Sequence, residues 1–317
     1  MAVAGIIVDV VLFCVGFFII IISSNAFVDS ARAIALRLGV PTVIVGLTLV
    51  SFATTAPEFC TSTLSAYSGD VGISYGNAIG SCIANIALIL ALAAIARPIT
   101  FSKEQLRDGI IMLTITSLLV LLAYFGGCLS ASDGILLLIL LGIFLAFTIK
   151  RELKRKNDKQ DKIEKRDLKY PSILFALGAI GMVIGSRLLI RSGSAIALSL
   201  GVPEIVIGLT MISVGTSLPE LVTAVTAVRK KVSELSLGNI IGANILNTTW
   251  VLGTSAIIRP LPVDSQSILF NNPIMILVMV LLVVFISTGS RISKKEGALL
   301  FAIYLFYSVA LFTFWYR

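Results

Sequence analysis

Long unbroken apolar runs dominate the chain. Val10–Ile22 and Ile274–Ile286 hold no charged residue. Strands of a transmembrane barrel would alternate apolar and polar positions, so this pattern predicts helices instead. Ten apolar segments can be marked, at 5–23, 33–67, 75–96, 109–125, 132–149, 171–190, 194–228, 236–257, 272–288 and 297–315. Most approach the ~20 residues that a helix needs to cross hydrocarbon. The second and seventh are too long for one crossing and contain Pro57-Glu58 and Pro219-Glu220. Both are predicted to be interrupted helices, because proline removes an intrahelical hydrogen bond. The first segment has no basic stretch before it and no small-residue cleavage site, which predicts a permanent helix rather than a removed leader.

Composition agrees with a polytopic membrane protein. Of 317 residues, 57% are hydrophobic and 13% charged, about half the charged share of a soluble domain. Disorder, collagen and a disulfide scaffold are excluded by the same figures, with 25 glycines and four cysteines. Histidine is absent, which removes His-based proton relays, His-ligated zinc and histidine-dependent triads together.

The chain also repeats itself. IALRLGVPTVIVGLT at 34–48 returns as IALSLGVPEIVIGLT at 196–210, TTAPEFCTS at 54–62 as TSLPELVTA at 216–224, and GNAIGSCIAN at 76–85 as GNIIGANILN at 238–247. All three pairs lie 162 residues apart. The predicted organisation is therefore a first repeat over 1–149, a basic linker over 150–170 and a second repeat over 171–317. With five spans in each, an odd number, the halves must enter the membrane in opposite orientations. Inverted repeats with broken helices mark secondary transporters, whose substrate site lies near the midplane where the halves meet.

The net charge of +8 invites a nucleic-acid reading until its distribution is considered. With the N-terminus outside, 21 of the 25 basic residues fall on the inner side, ten of them in Lys150–Lys169. Only Arg187, Arg191, Arg259 and Arg317 fall outside. This asymmetry predicts a multi-pass protein of the cell membrane with both termini extracellular and the linker cytoplasmic. The linker itself reads as a solvated tether with affinity for anionic lipid, and nothing points to nucleic acid. The oligomeric state leaves no trace in the sequence.

Two carboxylates, Glu58 and Glu220, lie deep in apolar spans, with no Lys or Arg at the same depth. An ionised group there costs at least a few kcal/mol unless paired or hydrated, so it points to function. Two such groups brought together by the repeat would repel. A bound cation relieves this. So does a shared proton, since desolvation and a neighbouring like charge both favour the neutral form. Proline frees the carbonyls of Ala53 and Gly215, which belong at that depth only where they line a cavity. Ser51, Thr54, Thr55 and Glu58 share one helix face, as do Ser213, Thr216, Ser217 and Glu220. Carboxylate, carbonyl and hydroxyl oxygens are hard donors suited to Ca²⁺ and Na⁺. In the Gly-Asn blocks, Gly76/Gly80 and Gly238/Gly242 form small-xxx-small pairs for close packing. Asn77, Ser81 and Asn85 form one polar stripe, whose ends Asn239 and Asn247 repeat; Asn85 and Asn247 are expected to face the carboxylates.

SFATTAPEF at 51–59, SVGTSLPEL at 213–221, GNAIGSCIAN and GNIIGANILN resemble the paired repeats of the sodium/calcium exchangers, within the cation/calcium antiporter superfamily. With the surrounding spans, the likeness covers the whole chain outside the linker. It implies an all-α membrane fold of ten transmembrane helices in two inverted halves, helices 2 and 7 broken, around a diamond of cation sites. In that pattern Glu58 and Glu220 bind Ca²⁺ and Na⁺ in turn, and Thr54 and Thr216 add oxygens to Ca²⁺. Ser51 and Ser213 fall where the family offers backbone carbonyls to Na⁺, Ser81 where it offers a hydroxyl, and Asn85 and Asn247 at the central polar position. The helices at 5–23 and 171–190 correspond to a sliding gate. Three departures stand out. Ala243 replaces the usual Ser, which removes an oxygen from one Na⁺ site. Asn247 replaces an Asp that some members carry, associated there with potassium dependence. Ala53 and Ala56 replace Gly and Leu.

The function expected is therefore Ca²⁺/Na⁺ antiport, with Ca²⁺/H⁺ antiport the nearest alternative and a cation channel the rival from another class. No ATP-binding motif suggests a pump, no cofactor is implied, and no residue stands ready to activate a nucleophile, so an enzyme is not expected. Cys60 and Cys82 lie near the site and read as small hydrophobes.

Overall fold

Inside a bilayer every backbone polar group must be bonded within the protein, and the apolar runs achieve this by folding as helices. The computed structural model describes residues 2–101, 103–158, 168–200, 213–289 and 291–315, without the side chains of 2–5, 103, 152–158, 197, 213–214, 312 and 314–315. The first half runs α1 (Ala2–Leu38), α2 (Thr42–Thr54), α3 (Ala56–Ser68), α4 (Val71–Ala96), β1 (Ile99–Thr100), α5 (Lys103–Gly126), β2 (Cys128–Leu129) and α6 (Ala131–Asp158). The second runs α7 (Lys169–Ser199), α8 (Ser213–Thr216), α9 (Leu218–Arg229), α10 (Ser233–Ile258), β3 (Leu261–Pro262), α11 (Ser267–Thr288), β4 (Arg291–Ile292) and α12 (Lys294–Trp315).

Among the described residues seven helices are long and apolar enough to cross a membrane, or eight if α2 and α3, bent by 45°, form one span. The chain is an all-α membrane protein. Burial sorts these helices into layers: the most apolar windows of α4 and α10 are 78% and 83% buried, that of α1 only 11%. So α4 and α10 form the centre, and α1 packs along α7 at the lipid face. The stacked rings of Phe27 and Phe175 help to join that pair.

Several boundaries differ from the sequence reading. The sixth span, expected at 171–190, runs on to Ser199, so residues 194–199 belong to it and not to the seventh. Helix α6 continues to Asp158, into the stretch expected as linker. The span expected at 5–23 continues as one helix to Leu38, so residues 33–38 belong to it and not to the broken segment. The reason is local. Gly39 adopts φ +67, Gly39 N–H bonds Leu36 C=O and Val40 N–H bonds Ala35 C=O, and Pro41 follows, a helix stop built on a left-handed residue. The corresponding part of the seventh span, 201–212, lies outside the described residues.

Contacts between the halves come in matching pairs. β1 pairs antiparallel with β4, and β2 with β3. Each of β2 and β4 leads into a helix through the same cap: Ser130 N–H and Oγ bond Asp133 Oδ2, and Ser293 N–H and Oγ bond Glu296 Oε2. Gly238 and Gly242 of α10 lie against α2 so closely that a Cβ would stand 2.5 Å from Val43 O and 2.6 Å from Leu47 O. The expected close packing is thus present for this pair. For Gly76 and Gly80 nothing described lies within 4 Å; their repeat-equivalent partners fall in 201–212, outside the described residues.

Candidate functional site

α2 stops at Thr54 and α3 starts at Ala56; Thr55 between them takes φ −79, ψ −4. In the second half Ser217, between α8 and α9, takes φ −87, ψ 8. This bridge conformation, together with Pro57 and Pro219 in the first turn of the next helix, breaks both helices at equivalent places. Glu58 and Glu220 follow in the first turns of α3 and α9, where the helix dipole favours negative charge. Both glutamates are fully buried.

The bridge residues reach across to the opposite carboxylate. Ser217 Oγ donates to Glu58 Oε1 at 3.0 Å, and Thr55 Oγ1 donates to Glu220 Oε1 at 3.4 Å. Ser81 of α4 adds a second hydroxyl on one side only, 3.5 Å from Glu58 Oε1 and 3.1 Å from Ser217 Oγ. Ala243, its repeat equivalent, is buried and has no oxygen to offer. The second oxygen of each carboxylate, Oε2, accepts no hydrogen bond from the described residues. Nor does any partner of either glutamate among them carry a positive charge; ion pairs among the described residues include Asp108 with Arg107 and Arg151, and Asp29 with Lys230, all away from the glutamates.

One turn before the glutamates, Thr54 Oγ1 donates to Asn239 Oδ1 at 3.1 Å and Thr216 Oγ1 to Asn77 Oδ1 at 3.3 Å. Ser51 is buried, and its hydroxyl bonds back to Thr48 C=O at 2.9 Å, so it turns away from the glutamates. Its carbonyl accepts Thr55 N–H at 2.9 Å. Ser213 opens α8; its side chain lies outside the described residues. Asn85 and Asn247 each begin a π-helical turn, Asn85–Leu90 and Asn247–Val251, a distortion common at functional sites. Asn85 Nδ2 bonds Asn244 Oδ1 at 3.0 Å rather than a carboxylate. Asn247 is buried with neither amide atom bonded to a described residue, and Asn85 Oδ1 is likewise unpaired.

The structure therefore bonds Glu58 to Ser217 and Ser81 and Glu220 to Thr55, ties Thr54 and Thr216 to Asn239 and Asn77, and pairs Asn85 with Asn244; Asn247 bonds none of them. Sequence reasoning missed Asn244 and the partnerships of Asn77 and Asn239. Asn239 was visible as a repeat of Asn77, but nothing in the spacing tells which threonine each meets. All donors here are oxygens or amides and the only formal charge is that of two carboxylates, which is donor chemistry for a hard cation.

Fold and site together define a polytopic helical membrane protein with an acidic, oxygen-lined centre. A model of the sodium/calcium exchanger protein family matches residues 8–150 and 170–313. The sodium/calcium exchanger MaX1 of Methanosarcina acetivorans is 32% identical, covering 96% of this chain and 99% of its own length. The inner membrane protein YrbG of Escherichia coli is 34% identical, covering 85% of this chain and 86% of its own. A solved structure of the sodium-calcium exchanger NCX_Mj, soaked with 2.5 mM Na⁺ and 10 mM Sr²⁺, matches with a TM-score of 0.85 at 31% identity, over 95% of this chain and 98% of that one. The chain belongs to the sodium/calcium exchanger protein family. That is a family of ion exchangers, transporters of Na⁺ and Ca²⁺.

Proposed function

We propose that this protein exchanges Ca²⁺ for Na⁺ across the cell membrane by alternating access, with Glu58 and Glu220 as the shared ligands. One observation carries the reading: two fully buried carboxylates, each bonded by a hydroxyl of the other half and neither paired with a basic side chain among the described residues. Their combined charge of about −2 matches one Ca²⁺ or two Na⁺. The bare pair is too costly to close over in a dry core, so the transporter crosses loaded in both directions and exchange becomes obligatory. Thr54, Thr216, Thr55, Ser217 and Ser81 supply neutral oxygens around the glutamates, Ser51 and Ser213 their backbone carbonyls, and Asn85 and Asn247 the central amides.

The remaining architecture follows the same reading. Ten spans form two inverted five-helix halves, 1–149 and 171–317, joined by a cytoplasmic linker over 150–170. The repeated motifs 162 residues apart and the cross-paired ribbons support this. α1 and α7, packed together at the lipid face, form the moving pair.

A second reading, Ca²⁺/H⁺ antiport, draws support from Ala243, which leaves Glu220 without the hydroxyl that Ser81 gives Glu58. The test is ⁴⁵Ca²⁺ uptake by Glu58→Gln and Glu220→Gln proteins in liposomes. Both should fold and neither should exchange. Normal transport by either variant contradicts the assignment of the ligands.

A further inference from the structure

Asn77 and Asn239 hold the two threonines from across the repeat, but only one of them is itself held in place. Asn77 Nδ2 donates to Ser62 Oγ at 2.9 Å and to Glu58 C=O at 3.3 Å. Ser62 Oγ gives its own proton to Ser74 C=O at 3.1 Å. That assignment forces the direction of the whole chain. With the Ser62 proton committed, its oxygen must accept from Asn77, so the amide nitrogen points at Ser62 and at Glu58 C=O. A flipped amide would set its oxygen against the Glu58 carbonyl, acceptor against acceptor. Asn77 Oδ1 is therefore left facing Thr216, whose hydroxyl donates to it at 3.3 Å.

A hydroxyl has one proton and two lone pairs. Once the Thr216 proton is spent on Asn77, only lone pairs remain for any other neighbour. We infer that Asn77 is a positioning residue of the cation site: with Ser62 and the Ser74 carbonyl behind it, it turns the Thr216 hydroxyl so that its lone pairs face the ion beside Glu58 and Glu220. Asn77 touches no ion itself. It acts through Thr216 and, by way of the Glu58 carbonyl, fixes the backbone that carries the carboxylate.

The other half lacks this support. Asn239 Oδ1 accepts from Thr54, but Asn239 Nδ2 bonds no described residue. Ala224 occupies the position equivalent to Ser62 and is itself buried, so no hydroxyl among the described residues fixes the Asn239 amide. Thr54 Oγ1 also lies 3.4 Å from Ser51 C=O, so its one proton is shared between two acceptors and its lone pairs are less firmly oriented than those of Thr216.

This inference rests on the ligand assignment proposed above, and the experiment separates the two. Half-saturating Ca²⁺ for ⁴⁵Ca²⁺ exchange is measured in liposomes for Asn77→Ala and Ser62→Ala, each alone and combined with Thr216→Val, a shape-preserving loss of the hydroxyl. Asn239→Ala, Glu58→Gln and Glu220→Gln are run beside them. Asn77→Ala should raise the half-saturating concentration about 3- to 10-fold, the worth of one well-placed hydrogen bond. Ser62→Ala should raise it about 2-fold and Asn239→Ala by less than Asn77→Ala. In the Thr216→Val background Asn77→Ala and Ser62→Ala should have almost no further effect, because contacting residues that act through one another are not additive. An unchanged factor in that background would overturn the positioning role and make Asn77 a packing residue. Should Asn77→Ala fail to fold, the Ser62→Ala pair decides by the same criterion. Exchange surviving in both glutamate variants would instead overturn the ligand assignment itself.

Discussion

The two halves of the site are built from the same motif and finished differently. Around Glu58 stand Ser217 at 3.0 Å and Ser81 at 3.5 Å, and Asn77 behind them is bonded on every side. Around Glu220 stands Thr55 at 3.4 Å, with Ala243 and Ala224 where the first half has Ser81 and Ser62. The backbone matches better than the side chains. Both broken helices bend at one bridge residue, and both hairpins beyond them turn through a left-handed residue, Gly69 at φ +98 and Lys231 at φ +60. Geometry thus binds some parts of the repeat and leaves others free to diverge. Helix breaks must be kept to present two carboxylates, whereas supporting hydroxyls can be lost from one side.

The largest effects are expected at the carboxylates. Glu58→Gln and Glu220→Gln should each remove Ca²⁺ exchange entirely in liposome flux assays, while circular dichroism in detergent shows an intact helical fold. A large residual flux in Glu220→Gln alone would mean that the oxygen-poor half is dispensable and the site one-sided.

Restoring the missing oxygen should sharpen the symmetry. Ala243→Ser is expected to lower the half-saturating Na⁺ concentration several-fold, on the order of 1 kcal/mol for one better-placed oxygen, with little change for Ca²⁺. If protons drive the exchange, neither protein responds to Na⁺ at clamped pH, and the substitution changes nothing.

The smallest effects concern the turns. Gly69→Ala forces a Cβ into the left-handed region, 2.6 Å from the guanidinium of Arg259, and should cost about 1 kcal/mol. Lys231→Gly relieves the same conformation at the equivalent place but adds freedom to the unfolded chain, so the net change should stay within about 0.5 kcal/mol. Thermal unfolding in detergent distinguishes them: a lower midpoint for Gly69→Ala, an almost unchanged one for Lys231→Gly, and normal exchange in both.

Much of this organisation was legible in the sequence. The repeated blocks at a constant 162-residue offset, the apolar runs and the Pro-Glu pairs locate the helices, the breaks and the buried carboxylates, because all three are set by local chemistry and membrane thickness. What was hidden depends on contacts between distant segments. Thr216 and Asn77 are separated by 139 positions and Thr54 and Asn239 by 185, and spacing along one helix cannot say which residue lies opposite. Asn85 was expected to face a carboxylate and meets Asn244 instead, since α4 and α10 cross at the centre where their own amides come first into reach. The end of α1 was misplaced because Gly39 and Pro41 stop the helix inside a stretch that stays apolar on both sides.

Which gradient moves Ca²⁺ decides what the Glu58–Glu220 centre does. Purified protein in liposomes should take up ⁴⁵Ca²⁺ when Na⁺ is loaded inside and diluted outside, and an imposed pH gradient at equal Na⁺ should drive none. Uptake driven by the pH gradient alone, with no response to Na⁺, would contradict the sodium-coupled exchange proposed for the Glu58–Glu220 centre.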